Sequence, residues 1–142
     1  MKNIRSWIGV QFRYRGYTKS GCDCAGLILG ILQENNICDK DLIKKYLNHS
    51  VRNSEYIDEE KILNSLDKVF KRGVVDDVRL SDILVMKSSC NNIVHLGIVS
   101  RINPLYMLHA HGKIGCVVES IVDKPILDKV FLVYHCNLLA LN

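Results

Sequence analysis

The chain has little of what marks membrane-spanning, secreted or disordered proteins. Only 2 of its 142 residues are proline, and no apolar run approaches the ~20 residues that a membrane-spanning helix needs. The first ten residues lack the continuous apolar core of a secretory signal, which predicts synthesis in the cytoplasm without a signal peptide. Since 48% of the residues are hydrophobic, we expect a single domain, residues 1–142, with a substantial core.

Dense charge is also lacking. The net charge is only +4, and the chain has no basic cluster of the kind that nucleic-acid-binding proteins use. We therefore expect no nucleic-acid partner. A mild positive charge favours no more than a weak attraction to an anionic surface such as a cell wall.

The chain contains six cysteines. Three disulfides would suit a secreted protein, but we expect no secretory signal, and a core of this size needs no covalent links. Cys38 and Cys136 fit buried free thiols instead, because a free cysteine packs as a small hydrophobic residue.

Hydrophobic periodicity predicts helices in the first half of the chain and strands in the second. Apolar residues at i, i+3 and i+4 spacing predict helices over residues 2–10, 24–35, 39–47 and 55–71, the last of them followed by a stop at Gly73. Short runs rich in β-branched residues predict strands over 80–86, 94–101, 105–111, 115–122 and 129–135. Helices followed by closely linked strands indicate an α+β domain with an antiparallel sheet.

Small, flexible residues in the stretch Ser20–Gly26 lie at the start of a predicted apolar helix, and Cys24 is in the first turn of that helix. Asp23 is a natural N-cap, because its carboxylate can accept hydrogen bonds from the free N–H groups of that turn. The helix dipole and those N–H groups favour a thiolate and can hold an oxyanion. Ala25 leaves room for a substrate carbonyl. The pattern indicates that Cys24 is a nucleophile, although any capped helix that begins with cysteine has the same pattern.

Three of the five histidines are candidates for chemistry. His95 begins a predicted strand, where it is either a catalytic base or a half-buried core residue. His109 and His111 are two apart and therefore share one face of a strand, which suits a metal site or a catalytic triad. Zinc ligation together with Cys22 and Cys24 is an alternative. However, C-x-C and H-x-H are not the usual spacings of structural zinc, and we expect no metal.

Several stretches, in order along the chain, resemble the NlpC-type cell-wall peptidases, which have a papain-like fold. Residues 21–28 (Gly-Cys-Asp-Cys-Ala-Gly-Leu-Ile) resemble the Asp-Cys-Ser-Gly-Leu-Val signature of that family. Residues 94–98 resemble its His-Val-Gly-Ile strand, and residues 107–110 its Val-His-Ala strand. Residues 81–85 are similar to its Gly-Asp-Leu segment, and residues 7–12 to its Trp-x-Gly-Thr-Pro-Tyr opening.

The resemblance implies an α+β, papain-like domain with a Cys-His-His triad. Cys24 would be the nucleophile, His95 the base that takes its proton, and His109 the residue that orients the His95 imidazole. The family cleaves amide bonds in peptidoglycan stem peptides, typically between D-glutamate and a diamino acid. It needs no cofactor.

Two details are most similar to the phage and gene-transfer-agent branch of that family. They are the run Cys22-Asp23-Cys24 and the doubled His109-Ala110-His111. This similarity implies that phage-like tail proteins are partners and that the chain is incorporated in a phage-like particle.

The sequence departs from the family pattern around the expected site. Ala25 replaces a serine, which keeps the position small, and Gln11 replaces a proline. Phe12 stands where the family has a tyrosine whose hydroxyl faces the active site; Tyr14 could supply that hydroxyl from the same side of an extended segment. His111 is an additional imidazole, which we assign to the substrate side or to a second layer of the site.

Two other functions stay open. One is a different amidase or acyltransferase reaction on the same fold, which the loop from Phe12 to Lys19 would determine. The other is a catalytically weak or inactive structural module of a tail, which the missing tyrosine hydroxyl at Phe12 favours.

Overall fold

The computed structural model describes residues 3–36, 59–88 and 94–136. Single 3-10 turns lie at Ile4–Trp7 and Val75–Asp77. The helices are α1 (Cys24–Glu34), α2 (Glu59–Val69) and α3 (Lys124–Leu127). The strands are β1 (Tyr17–Thr18), β2 (Gly21–Cys22), β3 (Lys71–Gly73), β4 (Ile83–Lys87), β5 (Val94–Arg101), β6 (Tyr106–His111), β7 (Cys116–Ile121) and β8 (Val130–His135).

Six strands form one sheet in the order β3-β8-β4-β5-β6-β7, and every neighbouring pair is antiparallel. Strands β4 to β7 follow one another as hairpins, whereas β8 returns to the free edge of β4. The short strands β1 and β2 form a separate antiparallel hairpin directly before α1. The predicted α+β class with an antiparallel sheet is therefore confirmed.

The helix α1 is buried from Cys24 to Leu32, as expected for a helix that is apolar on every side. Two contacts fix its C-terminal half. Gly30 leaves space for the indole of Trp7, since a Cβ there would lie 2.3 Å from that ring. The indole N–H of Trp7 donates to the carboxylate of Glu34 at 2.9 Å. The helix packs against β5 and β6, the two strands that contain the candidate histidines.

The sheet has a buried cluster on each face, because side chains alternate along each strand. One cluster joins α1 and α2 to the sheet and includes Leu96, Ile98, Leu108 and Ala110. The other lies on the opposite face, and its buried members are Leu84, Met86, Val99, Met107, Val122, Val130 and Val133.

Asp82, in the segment that resembles the Gly-Asp-Leu sequence, is 1% exposed. Its carboxylate accepts from the backbone N–H of Arg79 at 2.8 Å and lies 2.9 Å from Nδ1 of His135. These contacts tie the turn before β4 to the end of β8, so this aspartate supports the sheet.

Two of the predicted helices are wrong at their ends. The helix over residues 2–10 is only the turn Ile4–Trp7, because Gly9 takes a φ of +90° and its N–H donates to the carbonyl of Val117. The helix predicted to reach residue 71 ends at Val69, because Lys71–Gly73 pairs with β8 as a strand. The predicted helix over 39–47 and residues 55–58 lie outside the described residues.

The strand predictions are closer. The predicted strand over 94–101 is confirmed as β5, and those over 105–111, 115–122 and 129–135 are each confirmed to within one residue. The strand predicted over 80–86 begins only at Ile83, because Ser81 has a φ of +71° in the preceding turn. The short helix α3 follows β7, and the Asp123 carboxylate caps it by accepting from the N–H of Ile126 at 3.2 Å.

Candidate active site

Cys24 is the first residue of α1 and is 8% exposed. Asp23 caps the helix as predicted: one carboxylate oxygen accepts from the N–H of Gly26 at 2.8 Å. The other oxygen accepts from the N–H of Arg15 at 2.9 Å, so the cap also holds the loop before β1. Ala25, the next residue of the helix, is 1% exposed. The thiol therefore stands at the positive end of the helix dipole.

His95 and His109 come together directly. Nε2 of His95 lies 2.8 Å from Nδ1 of His109, and the two rings meet edge to face with centroids 5.1 Å apart. A hydrogen bond between two neutral imidazoles requires one ring to donate and the other to accept. The pair therefore has the geometry that a base and its orienting partner need.

A third residue continues this chain of hydrogen bonds. Nε2 of His109 lies 2.8 Å from Oγ of Ser120 in β7. Sequence reasoning missed Ser120, because it belongs to no motif. The signal that could have found it is the β6–β7 register, in which Ser120 pairs with Met107 and therefore shares the sheet face of His109.

Burial lowers the pKa of both histidines. Desolvation, followed by the charges of His109 and His111, lowers the pKa of His95 to about 3. Desolvation, followed by the charge of His111, lowers the pKa of His109 to about 4. Both rings are therefore neutral near pH 7, the form in which an imidazole can accept a proton.

These pKa values predict that acid destabilises the fold through its histidines. An unfolded histidine titrates near ~6.5, so below that pH the unfolded chain binds protons that folded His95 and His109 do not. Their contribution to stability is complete above about pH 6.5. It is lost as the pH falls to about 4 for His109 and about 3 for His95, by up to ~1.4 kcal/mol per pH unit for each histidine. Urea unfolding at a series of pH values measures the slope. His109→Gln should show a shallower slope, and an unchanged free energy of unfolding between about pH 7 and 5 would contradict the expectation.

Cys24 and the histidine pair belong to adjoining parts of the fold. Cys24 lies in the buried cluster that contains Leu96 and Ala110, which follow His95 and His109 on their strands. Because side chains alternate between the faces of a sheet, the two histidines project from the opposite face, which contains Val99 and Met107, so they approach Cys24 around the strand ends. His95 is the second residue of β5 and therefore lies at the start of that strand. The N-terminal turn of α1 therefore packs in the region where β5 begins and β6 ends.

Phe12 connects the cysteine segment to the turn between β6 and β7. Its backbone forms an isolated bridge with Cys22, and its N–H donates to the carbonyl of Gly115 at 2.8 Å. The ring of Tyr14 meets that of Phe12 edge to face at 5.0 Å, and Tyr14 is 54% exposed. The two aromatic residues predicted near the site thus lie together, with Tyr14 on the outside.

His111 is held by the same turn. Its Nδ1 accepts from the N–H groups of Lys113 and Ile114 at 3.2 and 3.3 Å, and its ring lies 5.6 Å from that of His109. These contacts place the proton of a neutral His111 on Nε2. The residue thus closes the β6–β7 turn beside the histidine pair, and its assignment to the substrate side or to a second layer of the site stays a prediction.

Within the described ranges, Cys22, Cys24, Cys116 and Cys136 form no disulfide, and Cys136 is buried. Cys38 lies outside those ranges. Over the same residues, no group of three or more histidine, cysteine or acidic side chains could hold a metal ion. None of the helices in the described part of the chain is both long and apolar enough to cross a membrane.

Comparison with known proteins identifies a solved structure with a similar fold. No family model matches the sequence, and no curated protein matches it. Among solved structures, the NlpC/p60 domain of the peptidoglycan hydrolase SagA is similar, with a TM-score of 0.60 and 14% sequence identity over 94% of this chain and 92% of that one. The chain therefore has the α+β, papain-like fold of NlpC/p60 domains.

Proposed function

We propose that this chain is a cysteine peptidase that hydrolyses amide bonds in peptidoglycan stem peptides. The observation that carries the proposal is the 2.8 Å contact between His95 and His109, on two strands against which the helix of Cys24 packs. The fold is that of a domain from a peptidoglycan hydrolase. Cys24 acts as nucleophile, His95 as general base and acid, and His109 as the orienting residue.

The reaction has two stages. The Cys24 sulfur attacks the amide carbonyl while its proton passes to Nδ1 of His95, and N–H groups in the first turn of α1 stabilise the oxyanion. The C–N bond then breaks, and His95 returns the proton to the leaving amine. Water attacks the thioester next, giving up a proton to His95, and release of the carboxylate product restores the thiol. The proposal requires the ring of His95 to reach the thiol from its place near the start of β5.

The low pKa of His95 supports a particular timing of the proton transfer. Because burial lowers the pKa of His95 to about 3, an imidazolium is disfavoured while the site is at rest. The neutral ring accepts the thiol proton as the sulfur attacks, which is general-base catalysis.

The bond that we propose is the one between D-glutamate and the diamino acid of the stem peptide. The supporting feature is the resemblance of the cysteine and histidine segments to NlpC-type peptidases. Phe12 and Tyr14 form one aromatic wall beside these segments, and the exposed Tyr14 ring can contact the peptide backbone of a substrate.

The test is product analysis on purified stem peptides and on intact peptidoglycan. We expect mass spectrometry to detect the dipeptide that ends in D-glutamate and a new amine on the diamino acid. A matched sample with its thiols alkylated by iodoacetamide should release neither product. Cleavage at another bond would support a different amidase or an acyltransferase. The absence of any product from the untreated protein would support a structural module and end the proposal.

We further propose that a phage-like tail delivers the enzyme to the cell wall. The support is the similarity of Cys22-Asp23-Cys24 and His109-Ala110-His111 to the phage and gene-transfer-agent branch. Purified tail particles from the producing cell should contain this chain in a fixed ratio to a tail protein. Its presence only in the cell lysate, and never in particles, would contradict this delivery route.

A further inference from the structure

Ser120 contacts the histidine pair from the third strand of the site. Its Oγ lies 2.8 Å from Nε2 of His109, whose side chain is buried with 7% of the residue exposed. Since β6 and β7 are paired along their whole length, from Tyr106↔Ile121 to His111↔Cys116, the backbone holds this contact in place. Ser120 belongs to none of the sequence motifs described above, and the proposed mechanism gives it no role.

Two proton arrangements fit the three residues. In the first, Nε2–H of His109 donates to Ser120, so that Nδ1 of His109 accepts from Nε2–H of His95, and Nδ1 of His95 has a lone pair. In the second, the Ser120 hydroxyl donates to Nε2 of His109, and every proton moves to the other nitrogen. The second arrangement leaves His95 with a proton on Nδ1, so it cannot take a proton there.

We infer that Ser120 is a positioning residue that accepts from Nε2–H of His109 and thereby leaves Nδ1 of His95 unprotonated. A serine hydroxyl can donate as well as accept, so the choice of the first arrangement rests on the proposed function, in which Nδ1 of His95 takes the thiol proton. Ser120 acts on the base through His109, as an orienting group does in other triads. Without the hydroxyl, the buried N–H of His109 has lost this acceptor, and the tautomer bias is lost with it.

Nitrogen-15 NMR of the histidine rings tests the tautomers without any need for activity. In the unaltered protein at about pH 7, His109 and His95 should both carry their proton on Nε2. Ser120→Ala should change the Nδ1 and Nε2 shifts of both rings toward a mixture of tautomers, and Ser120→Thr should restore them, because the hydroxyl is kept. Ser65→Ala is the matched control, since the Ser65 hydroxyl is buried in α2 and donates to the carbonyl of Lys61.

Kinetics test the consequence. If the chain hydrolyses stem peptides, Ser120→Ala should lower kcat by about 10-fold or more, with little change in KM. This loss in kcat should stay below the ~10⁴-fold that a wrong tautomer costs in the serine-protease triad. A wild-type His109 protonated on Nδ1, or ring shifts that Ser120→Ala leaves unchanged, would overturn the inference. An inactive wild-type protein whose ring shifts still depend on the hydroxyl would support the inference and reject the proposed function, so the two fail separately.

Discussion

Cys24→Ala is expected to lower the hydrolysis of stem peptides by about 10³-fold or more, because the proposed thioester forms on the Cys24 sulfur. The substitution removes one sulfur from a residue that is 8% exposed, so the fold should remain, with a loss of about 1 kcal/mol or less in the free energy of unfolding. Fragment release measured by mass spectrometry gives the rate, and thermal unfolding shows that the domain is intact.

Cys116→Ala is the matched control, because Cys116 is likewise outside any disulfide and lies at the start of β7. It should keep most of the activity. His95→Gln should cost about as much as Cys24→Ala. The double variant should be no worse than either single one, because residues that act as a unit have non-additive effects. Substantial activity in Cys24→Ala would show that this thiol is not the nucleophile, and a double variant with multiplied losses would show that the two residues act separately.

The sequence predicted the helix and strand around the candidate site well, because their signals are local. An aspartate before a small, apolar stretch predicts a capped helix, and Asp23 indeed accepts from the N–H of Gly26. Likewise, the alternating run around His95 predicts a strand, and β5 spans Val94–Arg101. Motif order along the chain also led to the papain-like fold, which the similarity to a solved NlpC/p60 domain supports.

The contact between His95 and His109 depends on a β-bulge in β5 that the sequence does not predict. At the turn end of the β5–β6 hairpin, Arg101 pairs with Tyr106, but two residues back Val99 pairs with Met107. One extra residue, Ser100, is therefore inserted in β5. Without this bulge the register would shift by one, and His95 would share a face with Leu108 and Ala110 instead of His109. A serine at position 100 gives no sequence signal for a bulge.

Contacts between distant segments account for most of the other errors. Residues 71–73 look like the end of a charged helix, yet they pair with β8, far along the chain, and tertiary pairing outweighs a helix preference of a few tenths of a kcal/mol per residue. The contact of Ser120 with His109 has the same origin, because it exists only once β7 is paired with β6. The lowered pKa values of His95 and His109 follow from burial, and hydrophobic patterning predicts only that a residue in a strand tends to be buried.

Gly26→Ala is expected to destabilise the fold by about 3 kcal/mol or more, because the close approach of two backbones leaves no space for a Cβ. A Cβ at Gly26 would lie 1.6 Å from the carbonyl oxygen of Gly16, and a backbone atom cannot move aside as a flexible side chain can. In an exposed helix the same change would stabilise by about 1 kcal/mol through helix propensity. The steric cost wins here because the loop of Gly16 is also held by Asp23, which accepts from the N–H of Arg15.

Gly112→Ala is the matched control for this prediction. A Cβ at Gly112 would lie 3.6 Å from the ring of Phe12, which is ordinary van der Waals contact, so the free energy of unfolding should change by less than about 1 kcal/mol. Urea unfolding of the two variants measures both values. If Gly26→Ala unfolds at the same urea concentration as the unaltered protein, the loop before β1 does not pack against α1 as described. The cap that positions Cys24 would then have to be held by other contacts.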